Sequence, residues 1–159
     1  MLRILRSIAA VVGVAGFIAS GPLLAAEAEV KTAAQTGAQA YIHEFSGEVT
    51  AAVGSGKPEP VQKNMHLLNN TTVTTGPKSY AVLKFEDGTV TLLKENTSFQ
   101  IQNYTYNAKQ PEKSNAFFNM VRGGLKMITG AISTRNRDAL KVATPVATIG
   151  IRGTEFLAE

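Results

Sequence analysis

T-P-V-A-T-I-G-I-R-G-T-E-F, from Thr144 to Phe156, is a β-branched and apolar run that carries one arginine, Arg152, between Gly150 and Gly153. Each glycine weakens a strand and the charge resists burial, so something specific must hold that arginine. Strand alternation sets Gly150, Arg152 and Thr154 on one face and Ile149, Ile151 and Gly153 on the other. The small same-face neighbours leave room for a guanidinium to lie against an adjacent strand. Its five rigid donors can satisfy carbonyls or a carboxylate in a way a lysine cannot. Arg152 therefore reads as a structural clasp, and Arg152→Ala is expected to cost ~2 to 4 kcal/mol.

Working outward, the chain from Phe45 onward has the texture of short strands separated by turn residues, without long helical periodicity. Ser46 to Val53 reads as a strand broken by Gly54-Ser55-Gly56-Lys57-Pro58. Val61 to Leu68 carries the chain across, and Thr71 to Thr75 is a Thr/Val run ended by Gly76-Pro77. Tyr80 to Glu86 and Thr89 to Lys94 flank Asp87-Gly88, the signature of a two-residue type I′ hairpin. That turn sets Phe85 opposite Val90, Leu83 opposite Leu92 and Lys84 opposite Thr91. Ser98 to Tyr106 alternates, with Phe99 and Ile101 on one face and Gln100, Gln102, Tyr104 and Tyr106 on the other. After a polar excursion, Asn107 to Asn115, strands are expected at Ala116 to Val121 and Leu125 to Ile128 around Arg122-Gly123-Gly124. A polar loop, Ser133 to Asp138, precedes a strand from Ala139 to Ala143, and Ile149 to Leu157 is read as the last strand. The fold class is all-β: a rolled antiparallel sheet, a β-sandwich or a short β-helix-like stack. No internal repeat is evident, which disfavours a true solenoid.

The N-terminus has the pattern of an export signal. Arg3 and Arg6 precede an unbroken run of apolar or small residues, Ile8 to Ile18; Gly21 and Pro22 break it, and Ala26 and Ala28 form an A-x-A arrangement. Residues 1–26 read as a signal peptide cleaved near Ala26 or Ala28, residues 27–44 as a flexible leader, and residues 45–159 as one β domain. An uncleaved membrane tether is the competing reading. Of 16 basic and 12 acidic residues, loss of Arg3, Arg6 and Glu27 leaves 14 and 11, a balance near +3. That is too mild to demand nucleic acid. The chain has no cysteine, which rules out disulfides, thiolate metal sites and cysteine nucleophiles.

The order of these pieces resembles the FecR-type domain, a β module of exported bacterial proteins. The matching residues are Gly47 and Val49, Thr75-Gly76, Asp87-Gly88-Thr89, Gly123 or Gly124, and the tail with Thr144, Pro145, Gly150, Arg152, Gly153, Thr154 and Phe156. The resemblance implies a stand-alone exported module that binds or senses something in the bacterial envelope. Its best-known members are relays with a cytoplasmic anti-sigma segment, a membrane span and a periplasmic domain that senses a loaded transporter. Here only about five residues precede the apolar segment, so no sigma factor is expected as a partner.

Catalysis is not expected. The two histidines, His43 and His66, have no ligand spacing, and of the two aspartates Asp87 is taken up by a turn and Asp138 sits in a basic loop. No cofactor or metal is expected. The segment Gly54 to Lys57 fails the phosphate-loop pattern at Ala51 and Pro58 and reads as a turn. The N-x-[ST] triplets at Asn69, Asn70, Asn96 and Asn103 read as turn and strand-edge chemistry. Arg122, Lys126, Arg135, Arg137 and Lys141 face the single nearby acid Asp138. They read either as a solvated face or as a surface for an anionic partner.

These readings converge on a non-enzymatic periplasmic or secreted binding or sensing module, with an envelope protein or anionic glycan as partner. The structural alternative is a scaffold component that assembles through exposed sheet edges. Self-association through the C-terminal strand is expected on either reading if that strand is an uncovered edge. Such an edge also fits a shortened copy of a longer protein.

Overall fold

A computed structural model describes residues 40–136, 138–151 and 155–158, the side chain of Pro111 excepted. The signal and leader reading for residues 1–39, Arg137, and the Arg152 clasp with Gly153 and Thr154 lie outside the described residues. Thirteen strands are described. The first seven are β1 (Ala40–Ser46), β2 (Val49–Val53), β3 (Glu59–Pro60), β4 (His66–Leu67), β5 (Thr71–Thr75), β6 (Tyr80–Phe85) and β7 (Val90–Leu93). Then come β8 (Ser98–Thr105), β9 (Asn115–Arg122), β10 (Leu125–Ile128), a short helix α1 (Ala131–Arg135), β11 (Leu140–Ala143), β12 (Thr148–Gly150) and β13 (Glu155–Ala158). Among the described residues no helix is long and apolar enough to cross a membrane.

The strands form two sheets. One runs β13-β10-β7-β6-β1-β4 and the other β12-β11-β9-β8-β5-β2-β3, so the expected all-β class is what the chain adopts, as a two-sheet sandwich. Pairing is antiparallel except for β9 with β11, which run parallel because β10 crosses to the opposite sheet between them. Alternating residues supply the core: Val73, Leu83, Phe99, Ile101, Phe118, Leu125, Met127 and Val142 are essentially inaccessible. Phe118 sits at its centre, with ring centroids 5.1 Å from Phe85 and 5.3 Å from Phe99, bridging the two sheets. A fully buried phenylalanine of this kind contributes about 2 to 3 kcal/mol.

Several expectations are corrected. β1 begins at Ala40, inside the segment read as a leader, because Ala40 and Ile42 are buried against β6 and β4. The single strand expected over Ser46 to Val53 is broken at Gly47, whose φ of 77° turns the chain from one sheet to the other. The run Ile149 to Leu157 is not one strand either: β12 closes the edge of one sheet and β13 the edge of the other. Part of the loop expected at Ser133 to Asp138 belongs to α1, whose own Ile132 and Ser133 are buried.

The hairpin register also differs by one residue. Leu83 pairs with Thr91 and Lys84 with Val90, and the Phe85 amide bonds the Thr89 carbonyl at 2.9 Å. The loop is therefore three residues, Glu86-Asp87-Gly88, and of these only Gly88 takes a positive φ, 87°. That is the turn-plus-bulge solution open to a three-residue hairpin, and it frees Asp87 to point inward. In β8 a register shift between Ile101 and Asn103 moves Tyr104 onto the core face, where strict alternation had put it outside.

Candidate functional site

The matching motif residues do different work at the two ends of the sandwich. At one end, turn glycines admit close approach of a neighbouring segment. A side chain at Gly123, where φ is 89°, would meet Thr97, its Cβ at 2.8 Å. The Thr97 hydroxyl in turn donates to the Gly124 carbonyl at 3.0 Å and accepts from the Gly124 amide at 3.1 Å. Thr75 joins the same cluster: its amide donates to the Thr97 carbonyl, and its hydroxyl donates to the Lys94 carbonyl at 2.6 Å and accepts the Thr97 amide at 3.0 Å. Gly47 packs on Ser79, whose hydroxyl accepts the Glu48 amide at 2.9 Å.

At the other end Asp87 is a hub rather than a surface turn residue. It is 6% exposed. One carboxylate oxygen accepts from the Thr89 amide at 3.0 Å and the Tyr104 hydroxyl at 2.8 Å. The other accepts from the Thr89 hydroxyl at 2.8 Å and the Ile132 amide at 3.3 Å. Gly130, at the N-cap of α1, has no side chain to cap the helix, and the Asp87 carboxylate supplies that acceptor from the adjoining β6–β7 hairpin. Burial first, and then the adjacent Asp87 carboxylate, hold the Tyr104 phenol well above the usual tyrosine range. An acid so fully committed to hydrogen bonds fastens the hairpin, β8 and α1 together and leaves no free lone pair to do chemistry.

The open feature of the molecule lies at the glycine-rich end. Thr144-Pro145-Val146-Ala147 is a tight hairpin turn between β11 and β12. Its outer bond is Thr144 amide to Ala147 carbonyl, 2.7 Å, while the Ala147 amide bonds the Thr144 hydroxyl at 3.2 Å. Pro145 fixes a negative φ and so excludes the primed turns usual at this loop length. The threonine hydroxyl serves as the acceptor in the turn that results. This turn, the end of β9 and β13 enclose a groove of about 530 Å³. Its lining includes Met120, Val121, Val146, Ile149, Phe156 and Leu157, together with Arg122. Val146 is 93% exposed, Leu157 57% and Val121 51%.

The sequence-predicted residues distribute as follows. Thr144, Pro145 and Phe156, the two ends of the tail motif, line the groove together, whereas Gly150 is exposed with open space around it. Arg122 reaches the groove; Lys126 forms an ion pair with Glu155 at 2.7 Å. Arg135 and Lys141 are exposed elsewhere, Lys141 pairing in register with Phe117, five residues before Arg122 along β9. His43 makes an edge contact with Tyr41, and His66 is exposed in β4. Among the described residues no three His, Cys, Asp or Glu side chains gather as metal ligands. Asn70 and Asn96 take positive φ, 64° and 55°, as turn residues, and the Asn69 side-chain oxygen Oδ1 accepts the Tyr104 amide at 2.9 Å. Val121, Val146 and Leu157 were not singled out from sequence, since an apolar residue in a strand pattern gives no sign of facing solvent.

The family model described as FecR protein matches residues 71–159, a span that holds both the Asp87 hub and the whole lining of the groove. No curated protein and no solved structure matches the chain.

Proposed function

The chain belongs to the FecR protein family, a family of signalling-related envelope domains, and from that premise we propose that it works as an exported, non-catalytic module that binds or senses a partner in the bacterial envelope. The observation that carries this reading is the groove: the two ends of the family's tail motif meet there and hold apolar side chains open to solvent. Contiguous exposed apolar surface of this kind marks interaction sites in soluble proteins. The Asp87 hub supports a structural role for the other motif residues, because its carboxylate is spent on four hydrogen bonds within the fold.

The test is capture from envelope extract by the full chain and by a Val146→Asp variant. Because Val146 is almost fully exposed, that change leaves folding intact. Partner capture lost only in the variant supports the binding module. Equal capture by both chains removes the groove from the account.

A scaffold reading has one observation in its favour: β13 is an edge strand whose described part carries a single charge, Glu155. Mass measured by light scattering that rises with concentration, and returns to monomer in Phe156→Pro, would favour that second role.

A further inference from the structure

The groove exists because a sheet ladder stops early. β11 runs parallel to β9 and is in register from Leu140 with Ala116 to Ala143 with Asn119. The Ala116 amide bonds the Ala139 carbonyl at 2.8 Å, so Ala116, Phe118 and Met120 turn their backbone groups toward β11. Continuing that register, the donor for the Met120 carbonyl would be residue 145. Residue 145 is proline and has no N–H. The chain then turns away at Thr144 to Ala147, and the last residues of β9, Met120 to Arg122, are left without a strand neighbour on this side among the described residues. At about 3.3 Å per residue the vacated edge is roughly 10 Å long.

The side chains around this vacancy favour a particular occupant. Five of the lining residues, Val121, Val146, Ile149, Phe156 and Leu157, are apolar and partly or largely exposed. Arg122 is the one charged residue in the lining, and no acidic partner for it is found among the described residues. A guanidinium beside apolar walls, with no acidic partner among the described residues, is matched by a carboxylate, which it can grip with two parallel hydrogen bonds. An open strand edge is matched by an extended main chain that can donate an N–H where proline could not.

We infer that this groove is a docking slot for an extended peptide segment that carries a carboxylate among β-branched or other apolar side chains. The segment lies beside Met120 to Arg122 in the place where β11 stops short. It donates a backbone N–H toward the Met120 carbonyl, sets an apolar side chain among Val121, Val146 and Leu157, and presents its carboxylate to Arg122. A glycan fits less well, because the walls are apolar and Phe156, half-buried, is the one aromatic ring in them. The inference deepens the binding-module reading and rests on it.

The experiment is selection from a random heptapeptide display library against the full chain, followed by titration of the enriched peptide with amide-shift mapping. Enriched sequences should alternate apolar or β-branched residues with an acidic residue at one fixed position. Shifts should concentrate at Met120 to Gly123, Thr144 to Ala147 and Phe156 to Ala158. Arg122→Ala, an exposed position, should weaken the peptide about tenfold or more, and Arg122→Glu should move the selected charge from acidic to basic. Peptides enriched without an acid, shifts outside the groove, or affinity indifferent to Arg122 would each overturn the proposal. So would a concentration-dependent dimer abolished by Val146→Asp, which would assign the groove to a second copy. If no peptide is enriched but wild-type chain still captures an envelope partner and Val146→Asp does not, the peptide proposal fails and the binding module stands. Failure of both experiments removes both.

Discussion

The Tyr104 hydroxyl and Asp87 are joined twice: the hydroxyl donates to the carboxylate at 2.8 Å and accepts the Asp87 backbone amide at 3.1 Å. Tyr104 lies in one sheet, and Asp87 is in the hairpin loop of the other. The pair therefore clasps the sandwich at the end away from the groove, where the rings of Tyr104 and Phe85 also meet at a centroid distance of 4.9 Å.

Removing that clasp should be costly. Tyr104→Phe keeps the ring and deletes the hydroxyl, so the buried Asp87 loses one donor to its carboxylate and the acceptor of its backbone amide, and stability should fall by about 1 to 3 kcal/mol. It should also change the response to alkali. The folded phenol is held above its ordinary value, so its contribution is fully present below about pH 10, where unfolded tyrosine titrates, and declines as pH rises further. Urea midpoints of wild type should fall above pH 10 more steeply than those of Tyr104→Phe. Parallel curves would show that the phenol is not so perturbed.

Thr91 offers a prediction of opposite sign. The one-residue change in hairpin register brings its side chain fully inside, opposite Leu83 and Met127, and its hydroxyl is the buried side-chain group without a partner among the described residues. A hydroxyl desolvated without compensation opposes folding. Thr91→Val should stabilise the protein by roughly 1 kcal/mol, read as a rise in denaturation midpoint. A loss of stability would mean that the hydroxyl has a partner, for which a buried water is the natural candidate.

Two glycines with nearly the same φ should respond differently. Gly88 has open space where a Cβ would go, so Gly88→Ala meets only the left-handed backbone penalty, about 1 kcal/mol. Gly123 is pressed against Thr97, and an added methyl must displace the hydroxyl that bonds Gly124 as well. Gly123→Ala should cost at least about twice as much by thermal or chemical unfolding. Equal effects would show that the Thr97 cluster gives way easily.

Much of the strand pattern was legible because it rests on local chemistry. The Thr71 to Thr75 strand, the breaks at Gly54 to Pro58 and Gly76-Pro77, and the return at Arg122 to Gly124 follow from turn residues and short-range alternation. The misread places are those where a side chain found a distant partner. Asp87-Gly88 has the composition of a two-residue turn, but bonds to Tyr104 and Ile132 favour the longer loop, and those partners lie far along the chain. Tyr104 itself reached the core through a bulge that alternation cannot anticipate. The groove was invisible for a related reason. Arg122, Pro145 and Phe156 become neighbours only when a parallel ladder ends and the tail splits between two sheets.

On this reading the groove, and not another part of the sandwich, meets the envelope partner. The most direct measurement of this is site-specific photo-cross-linking in intact cells, with the reactive group placed at Val146 or at Val53. Both positions are exposed valines; Val53 lines a separate cavity of about 380 Å³ near β2 and β4. A discrete adduct from position 146, absent from position 53 and lost on adding Arg122→Glu, is the result expected. An adduct from position 53 with none from position 146 would contradict it.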